Sequence, residues 1–216
     1  SKSFSKVDPY LFFEKLSNAI NNNSIILIDT GCSIAWAMQS MSFGRGKKVF
    51  HDFNNTAMGW SIPAAISASI LSKKKRIIVL VGDGSLSFML HEFSLIKKLN
   101  LSINIFLMNN SGQSMIRQTQ DQWLSSNYLG SSYEGGLAKI DFCKVVNAYG
   151  ISTSQIKYND KISKSIKKCL KYRQSFCEII INKNKRVLPQ VKFGRPNEDQ
   201  EPLLPINEYY QNMIIK

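Results

Sequence analysis

The sequence has few of the residues from which catalytic and metal sites are usually built. Only two histidines occur among 216 residues, and the four cysteines have no metal-ligand spacing. This scarcity argues against a zinc site. No group of His, Cys and carboxylate residues forms the pattern of a nucleophile with its general base. We therefore expect reduced thiols in a cytoplasmic protein.

The chain also lacks the apolar run of about 18 residues that a membrane span requires, and it shows no charged-then-apolar leader. Acidic residues are scarce, since 15 Asp and Glu face 28 Lys and Arg, for a net charge of +13 at pH 7. Basic residues cluster at 73–76, before a predicted strand, and at 157–173, beside an apolar helical stripe. Solvated faces explain both clusters. We therefore expect no membrane and no nucleic-acid partner, the latter being an alternative that rests on charge alone.

One stretch, residues 76–110, organises the rest of the prediction. The apolar, β-branched run 77–81 indicates a buried strand, and the run 103–108 indicates a second one. Between them, a helical pattern places four apolar side chains on one face, namely Met89, Phe93, Ile96 and Leu99. A strand–helix–strand crossover makes its strands parallel. Asp83 and Asn110, which follow the two strands, should therefore lie side by side at the carboxyl edge of the sheet.

The residues at that edge match the chemistry of a diphosphate. Gly82 and Gly84 lack a Cβ, so the backbone can approach a phosphate closely, and Ser85 is expected to open a helix whose first amides favour an anion. Asp83 and Asn110 offer hard oxygen ligands suited to Mg²⁺. A dinucleotide-binding loop fits less well, because it needs a third glycine where position 87 is Ser. The plainest alternative is an ordinary strand–turn–helix with a capping Asp.

The run Gly82-Asp83-Gly84-Ser85, followed one crossover later by Asn109-Asn110, resembles the signature of thiamine diphosphate (ThDP) enzymes. The resemblance implies an α/β fold, with a doubly wound, mostly parallel sheet flanked by helices. It also implies that ThDP and Mg²⁺ are the cofactors. The metal ligands that it implies are Asp83, Asn110 and the backbone carbonyl of Gly112.

Two further segments resemble the acetolactate synthase-like members of that family. A strand at 24–28 ends in a turn that contains Asp29, and the family's counterpart of this turn contributes to the diphosphate site; a plain loop is the alternative. The run 58–65 reads MGWSIPAA and resembles the MGxxxPAA segment that opens a helix. By resemblance, the carbonyl of Thr56 binds the aminopyrimidine ring, and Met58 keeps the cofactor bent so that its amino group reaches the thiazolium carbon. Without the resemblance, Met58 reads as a flexible core filler.

The stretch after Asn110 resembles the helix and loop that lie beside the diphosphate and substrate. The resemblance implies catalytic contacts from Met58 and Gln118. Thr119 stands where many acetolactate synthases have a Trp that is associated with 2-keto acid choice, a departure that leaves the cofactor assignment intact. The full set of implied cofactor contacts is Gly31, Cys32, Ser33, Thr56, Met58, Gly82, Asp83, Gly84, Ser85, Asn110, Gly112, Gln113, Ser114 and Met115.

The resemblance covers nearly the whole chain but only one domain of the family, the diphosphate-binding (PP) domain. We assign residues 1–183 to this domain and residues 184–216 to a C-terminal tail. The resemblance implies a 2-keto acid decarboxylase or carboligase that acts on pyruvate. A pyrimidine-binding (PYR) domain from the same or another chain would complete the site, in a homo-oligomer or heteromer. Two alternatives stay open: the β-type subunit of a split decarboxylase, and a non-catalytic paralogue with the ThDP fold.

Overall fold

A six-stranded parallel sheet forms the centre of the computed structural model, which describes residues 6–191 and 194–213. Its strands are β1 Ser24–Ile28, β2 Lys48–Phe50, β3 Arg76–Gly82, β4 Ile103–Asn109, β5 Thr153–Ile156 and β6 Ser175–Ile180. They lie in the order β2-β1-β3-β4-β6-β5, and each neighbouring pair is parallel. The predicted α/β fold with a parallel sheet is therefore confirmed.

Helices cover both faces of the sheet. In chain order they are α1 Pro9–Ala19, α2 Cys32–Ser40, α3 Ser61–Leu71, α4 Asp83–Leu86, α5 Phe93–Lys98, α6 Ser114–Trp123, α7 Phe142–Ala148, α8 Ile162–Cys169 and α9 Ile206–Asn212. Helices α1, α2 and α8 pack on one face around Trp36 and Ile166. Helices α3, α5 and α7 pack on the other around Ile62 and Phe93. In the described part of the chain, no helix is long and apolar enough to cross a membrane.

Aspartate side chains mark the starts of two helices. Asp8 precedes α1 and accepts hydrogen bonds from the backbone N–H groups of Tyr10 and Leu11, at 2.9 and 3.3 Å. Asp141 precedes α7 and accepts from the N–H of Lys144 at 3.1 Å. Such caps satisfy amides that have no partner inside the helix.

The two strands of the central crossover are also confirmed. They are direct neighbours in the sheet, and Gly82 at the end of β3 pairs with Met108 near the end of β4. Their carboxyl ends therefore meet at one edge, where Asp83 and Asn110 follow them. This is the juxtaposition that the sequence predicts.

The prediction of a single helix after Ser85 is wrong. The segment folds as α4, which begins at Asp83, then a 3₁₀ turn at Leu90–Glu92, and then α5. Leu99 lies outside the buried face, with 45% of its surface exposed. The cause is a tertiary contact, because Met89 packs so closely on Gly59 that a Cβ there would lie 2.8 Å from Met89 Cγ.

Residues just beyond the predicted domain boundary pack against the sheet domain. Lys185 Nζ lies 2.6 Å from Asp8 Oδ2, and the backbone of Val187 bonds to the Gln118 side chain. Further on, β7 Gln190–Val191 and β8 Gln200–Glu201 form an antiparallel pair. Residues 192–193 and 214–216 of the predicted tail lie outside the described residues. The boundary between residues 183 and 184 stays a prediction.

Candidate cofactor-binding site

A cavity of about 300 Å³ lies at the carboxyl edge of the sheet, beyond the ends of β1, β3 and β4. Each of these strands contributes the turn that follows it, so residues far apart in the sequence meet there. All the cofactor contacts implied by the sequence line this cavity, at positions 31–33, 56, 58, 82–85, 110 and 112–115. The structure thus brings the predicted residues together, and their contact with a cofactor stays a prediction.

Three oxygen atoms converge in this cavity, and we call them the oxygen cluster. Asn110 Oδ1 lies 2.7 Å from the carbonyl oxygen of Gly112 and 3.3 Å from Asp83 Oδ1, with no donor facing it. A half-turn of the Asn110 amide would let its Nδ2 donate to both neighbours. A cation among the oxygens would instead let all three remain as they are. Asp83, Asn110 and Gly112 are the residues that the sequence implies as metal ligands.

The donor set of the oxygen cluster fits a hard cation. Among residues 6–191 and 194–213, no three His, Cys, Asp or Glu side chains are grouped so that they could hold a metal ion. A cation here would therefore rely on one carboxylate and two neutral oxygens. Mg²⁺ accepts such a set when substrate phosphates and water supply the remaining ligands. The site suits a metal that arrives with a diphosphate.

Burial makes the Asp83 carboxylate costly to ionise. Its side chain is only 4% exposed, and burial raises the pKa of Asp83 to about 7. Backbone N–H groups oppose this shift, among them that of Gly112, which donates to Asp83 Oδ2 at 2.7 Å. An adjacent cation would favour the ionised form further. Metal binding would thus offset the cost of burying this charge.

Thr56, Met58 and Gly84 also line the cavity. Thr56 has φ of +50°, which is rare for a β-branched residue and occurs mainly where function requires strain. Met58 lies directly over the backbone of Gly84, because a Cβ on Gly84 would be 3.4 Å from Met58 Cε. A side chain at position 84 would crowd the cavity, so a glycine at this position leaves space for a ligand.

The family described as "Thiamine pyrophosphate enzyme, C-terminal TPP binding domain" matches residues 29–179, which include the turns after β1, β3 and β4. The chain belongs to this family. Thiamine pyrophosphate (TPP) is another name for ThDP, so the resemblance seen in the sequence is confirmed. The chain is a TPP-binding domain of the acetolactate synthase-like enzymes.

Three relatives illustrate the similarity. The acetolactate synthase large subunit of Buchnera aphidicola subsp. Schizaphis graminum is 27% identical over 92% of this chain and 35% of that protein. The large subunit from Lactococcus lactis is 25% identical over 82% of the chain and 30% of that protein. Isozyme 1 of Escherichia coli is 23% identical over 92% and 35%, respectively. The chain thus spans about a third of the length of the curated relatives it matches.

Asp29 holds two turns of this TPP-binding domain together. It is fully buried, and its carboxylate accepts hydrogen bonds from the N–H groups of Gly59 and Ser61 at 3.0 and 2.9 Å. It therefore ties the turn after β1 to the start of α3, next to Met58. In the sequence, Asp29 is recognisable only as a turn residue. Its partners lie 30 and 32 positions away, so no local pattern points to this role.

Arg117 holds the loop that carries the oxygen cluster, and it is not among the site residues predicted from the sequence. Its guanidinium is buried and donates to the carbonyls of Asn110 and Ser111, both at 2.8 Å. It also reaches the carbonyls of Ser131 and Lys183 at 3.2 and 3.1 Å. Burial lowers the pKa of Arg117 while the Asp83 charge raises it. One side chain thus joins α6, the loop and the segment after β6.

Gln118 lies outside the cofactor cavity of the TPP-binding domain. Its side chain is buried and bridges the backbone of Val187, donating to the carbonyl and accepting from the N–H, both at 3.0 Å. Both ends of the amide are therefore engaged by the segment after β6. Met115, one turn earlier in α6, does line the cavity. The position of Gln118 does not support its predicted catalytic contact, whereas that of Met58 is consistent with its predicted role.

Proposed function

We propose that this TPP-binding domain holds ThDP together with Mg²⁺ in a 2-keto acid decarboxylase or carboligase, with pyruvate as the donor substrate. The observation that carries the proposal is that the Asp83 carboxylate, the Asn110 amide and the Gly112 carbonyl meet in the same cavity as the glycine turns, in either orientation of that amide. The names of the relatives, all acetolactate synthases, support the reaction class. When bound, ThDP supplies the electron sink for breaking and making bonds beside a keto group.

The residues of the chain have separate tasks in this proposal. Asp83, Asn110 and the Gly112 carbonyl would hold Mg²⁺, and the metal would neutralise the diphosphate charge. The backbone at Gly31 and Gly84 would lie against the diphosphate, where a larger side chain would intrude. Each group is held in place by the fold before the cofactor binds, which reduces the ordering that binding requires.

Proton transfer calls for a group beyond those that line this cavity. Among the described residues that line the cavity, only Cys32 and Asp83 titrate. Burial raises the pKa of the Cys32 thiol to about 11, so it stays neutral at pH 7. Asp83 is assigned to the metal. A partner PYR domain would therefore supply the acid or base that acts on the cofactor.

Apolar side chains beside the cavity suit such a partner. Phe53, Phe88 and Ile116 are 64%, 56% and 46% exposed, although each is a large hydrophobic residue. They lie close in sequence to the cavity residues Thr56 and Ser85 or, for Ile116, in the lining itself. Exposed apolar groups around a site favour burial by another domain. The active site would thus form at an interface, within the same or another chain.

Calorimetric titration of ThDP tests this proposal. The titration is done with and without Mg²⁺, on the chain alone and on the chain combined with its PYR domain. We expect binding that requires Mg²⁺ and that tightens when the PYR domain is present. Absence of binding in all combinations would refute the proposal and favour a non-catalytic paralogue.

The role of Met58 gives a separate prediction. We expect Met58→Ala to lower kcat about 100-fold, because a cofactor that is no longer held bent loses its reactive geometry. The dissociation constant of ThDP should change little, since the diphosphate supplies most of the anchoring. Steady-state kinetics and calorimetry on the assembled enzyme separate the two effects. Met38→Ala, at an exposed position of α2, serves as the control, and equal losses in kcat and affinity would contradict the role.

A further inference from the structure

Glu178 is a buried carboxylate that the proposed function leaves unexplained. It lies in the middle of β6 and is only 4% exposed. In the sheet it pairs with Leu107 of β4 on one side and with Gln155 of β5 on the other. Together with Asn109, Ser111 and Gln155 it lines a cavity of about 640 Å³ that shares no residue with the cofactor cavity. A charge in such a place is costly unless its hydrogen bonds are satisfied.

Neutral donors satisfy this carboxylate. Asn109 Nδ2 donates to Oε1 at 2.6 Å, and Gln155 Nε2 donates to Oε2 at 2.6 Å. The thiol of Cys143 donates to Oε2 at 3.4 Å, and burial together with the Glu178 charge raises the pKa of Cys143 to about 12. Within the described part of the chain, no Lys, Arg or His forms an ion pair with Glu178. Its position is therefore fixed by the polar row across β4, β6 and β5.

The Asn109 amide passes this restraint to the loop beyond β4. Its Nδ2 is engaged by Glu178, so its Oδ1 is directed to the other side, where it accepts from the N–H of Ser111 at 3.0 Å. Ser111 and Gly112 have φ of +63° and +123°. Ser111 has a side chain, so its left-handed backbone needs an external restraint. The hydrogen bond from Ser111 to Asn109 provides it.

The Ser111–Gly112 turn carries the oxygen cluster. The Gly112 N–H donates to Asp83 Oδ2 at 2.7 Å, and the Gly112 carbonyl oxygen lies 2.7 Å from Asn110 Oδ1. A shift of this turn would move one oxygen of the cluster and loosen the Asp83 carboxylate. A continuous chain of hydrogen bonds therefore runs from Glu178 through Asn109 and Ser111 to the proposed metal ligands.

We propose that Glu178 is a positioning residue for the metal site, acting through Asn109 on the Ser111–Gly112 turn. This inference rests on the proposed Mg²⁺–ThDP function. Arg117 holds the same loop by its carbonyls from the side of α6. Glu178 holds the loop from the side of the sheet, through Asn109, which accepts from the N–H of Ser111. The two restraints act on different groups, so loss of one is not compensated by the other.

Calorimetry on the chain combined with its PYR domain tests the inference through the Mg²⁺ concentration that gives half-maximal ThDP binding. We expect Glu178→Ala to raise this concentration about 10- to 100-fold, as is typical when a group that orients a metal ligand is lost. Glu178→Gln should have a smaller effect, because its Oε1 can still accept from Asn109. Asn109→Ala should match Glu178→Ala, and the double variant should be no worse than either single variant.

Gln155→Ala is the matched control. It removes a hydrogen bond of the same length to the same carboxylate, on the side away from the metal loop. It should raise the Mg²⁺ requirement much less than Glu178→Ala does, because Asn109 still donates to Oε1 and the Cys143 thiol to Oε2. An equal rise in Gln155→Ala, or additive effects of Glu178→Ala and Asn109→Ala, would overturn the inference. The inference would also be overturned if Glu178→Ala had the same Mg²⁺ requirement as a wild type that binds ThDP in a Mg²⁺-dependent way. If ThDP binding by the wild type did not depend on Mg²⁺, the proposed function would fail as well. The wild-type titration therefore distinguishes the two failures.

Discussion

We expect Asp83→Ala to abolish the Mg²⁺-dependent component of ThDP binding while the chain still folds. Asp83 is the only charged member of the oxygen cluster, so its loss should weaken metal binding by about 100-fold or more. The fold should persist, because burial raises the pKa of Asp83 to about 7 and its ionised form adds little to metal-free stability. The variant loses the hydrogen bonds that the carboxylate accepts from backbone N–H groups, among them that of Gly112.

Two further variants make this test specific. Asp83→Asn keeps the shape of the side chain and an acceptor for Gly112, so it isolates the contribution of the charge. Asp160→Ala removes a partly exposed carboxylate that pairs with Lys161 and should bind ThDP like the wild type. The measurement is calorimetric titration of ThDP at saturating and zero Mg²⁺, together with urea unfolding of each variant. Retained Mg²⁺ dependence in folded Asp83→Ala would rule out the metal assignment.

The parts of the fold that the sequence predicts are those governed by local patterns. The strands β1, β3 and β4 are mostly apolar and buried on both faces, so their composition reveals them. The rule that a crossover makes strands parallel then places Asp83 beside Asn110. The cavity follows from that rule and from the glycine turns, which explains why the implied cofactor contacts assemble in one place.

The parts that the sequence does not predict depend on long-range contacts. The edge strand β2 is too exposed to form an apolar run, and β5 has a single fully buried residue, Ile156. The helix after Ser85 is interrupted because Met89 packs on Gly59, which is a contact between distant segments. Glu178 and Asn109 meet across 69 positions. No window of local sequence contains such a pair, so only the folded chain reveals these restraints.

We expect Arg117→Met to lower the free energy of unfolding by at least about 3 kcal/mol. Methionine fills much of the same space, yet it leaves the carbonyls of Asn110, Ser111, Ser131 and Lys183 without their shared donor. The carbonyls of Ser131 and Lys183 keep other donors, from the N–H of Gln113 and the guanidinium of Arg186. Those of the adjacent residues Asn110 and Ser111 lose theirs, and buried acceptors without partners are costly. Arg117→Lys should fall between the wild type and Arg117→Met, because an ammonium cannot reach all four oxygens with the geometry of a guanidinium.

Urea unfolding followed by circular dichroism measures this effect through the midpoint, with an unchanged slope showing that the same surface is exposed on unfolding. Arg45→Met removes an exposed arginine and should change stability by less than about 0.5 kcal/mol. The loss in Arg117→Met should be accompanied by a higher Mg²⁺ requirement for ThDP binding, since the same carbonyls belong to the loop that carries the oxygen cluster. A midpoint no lower than that of Arg45→Met would show that this loop is held by other contacts. A lower midpoint with normal Mg²⁺ dependence would show that Arg117 contributes to stability but not to metal binding. The hydrogen bond between Asn109 and Ser111 would then be the contact that orients the metal ligands.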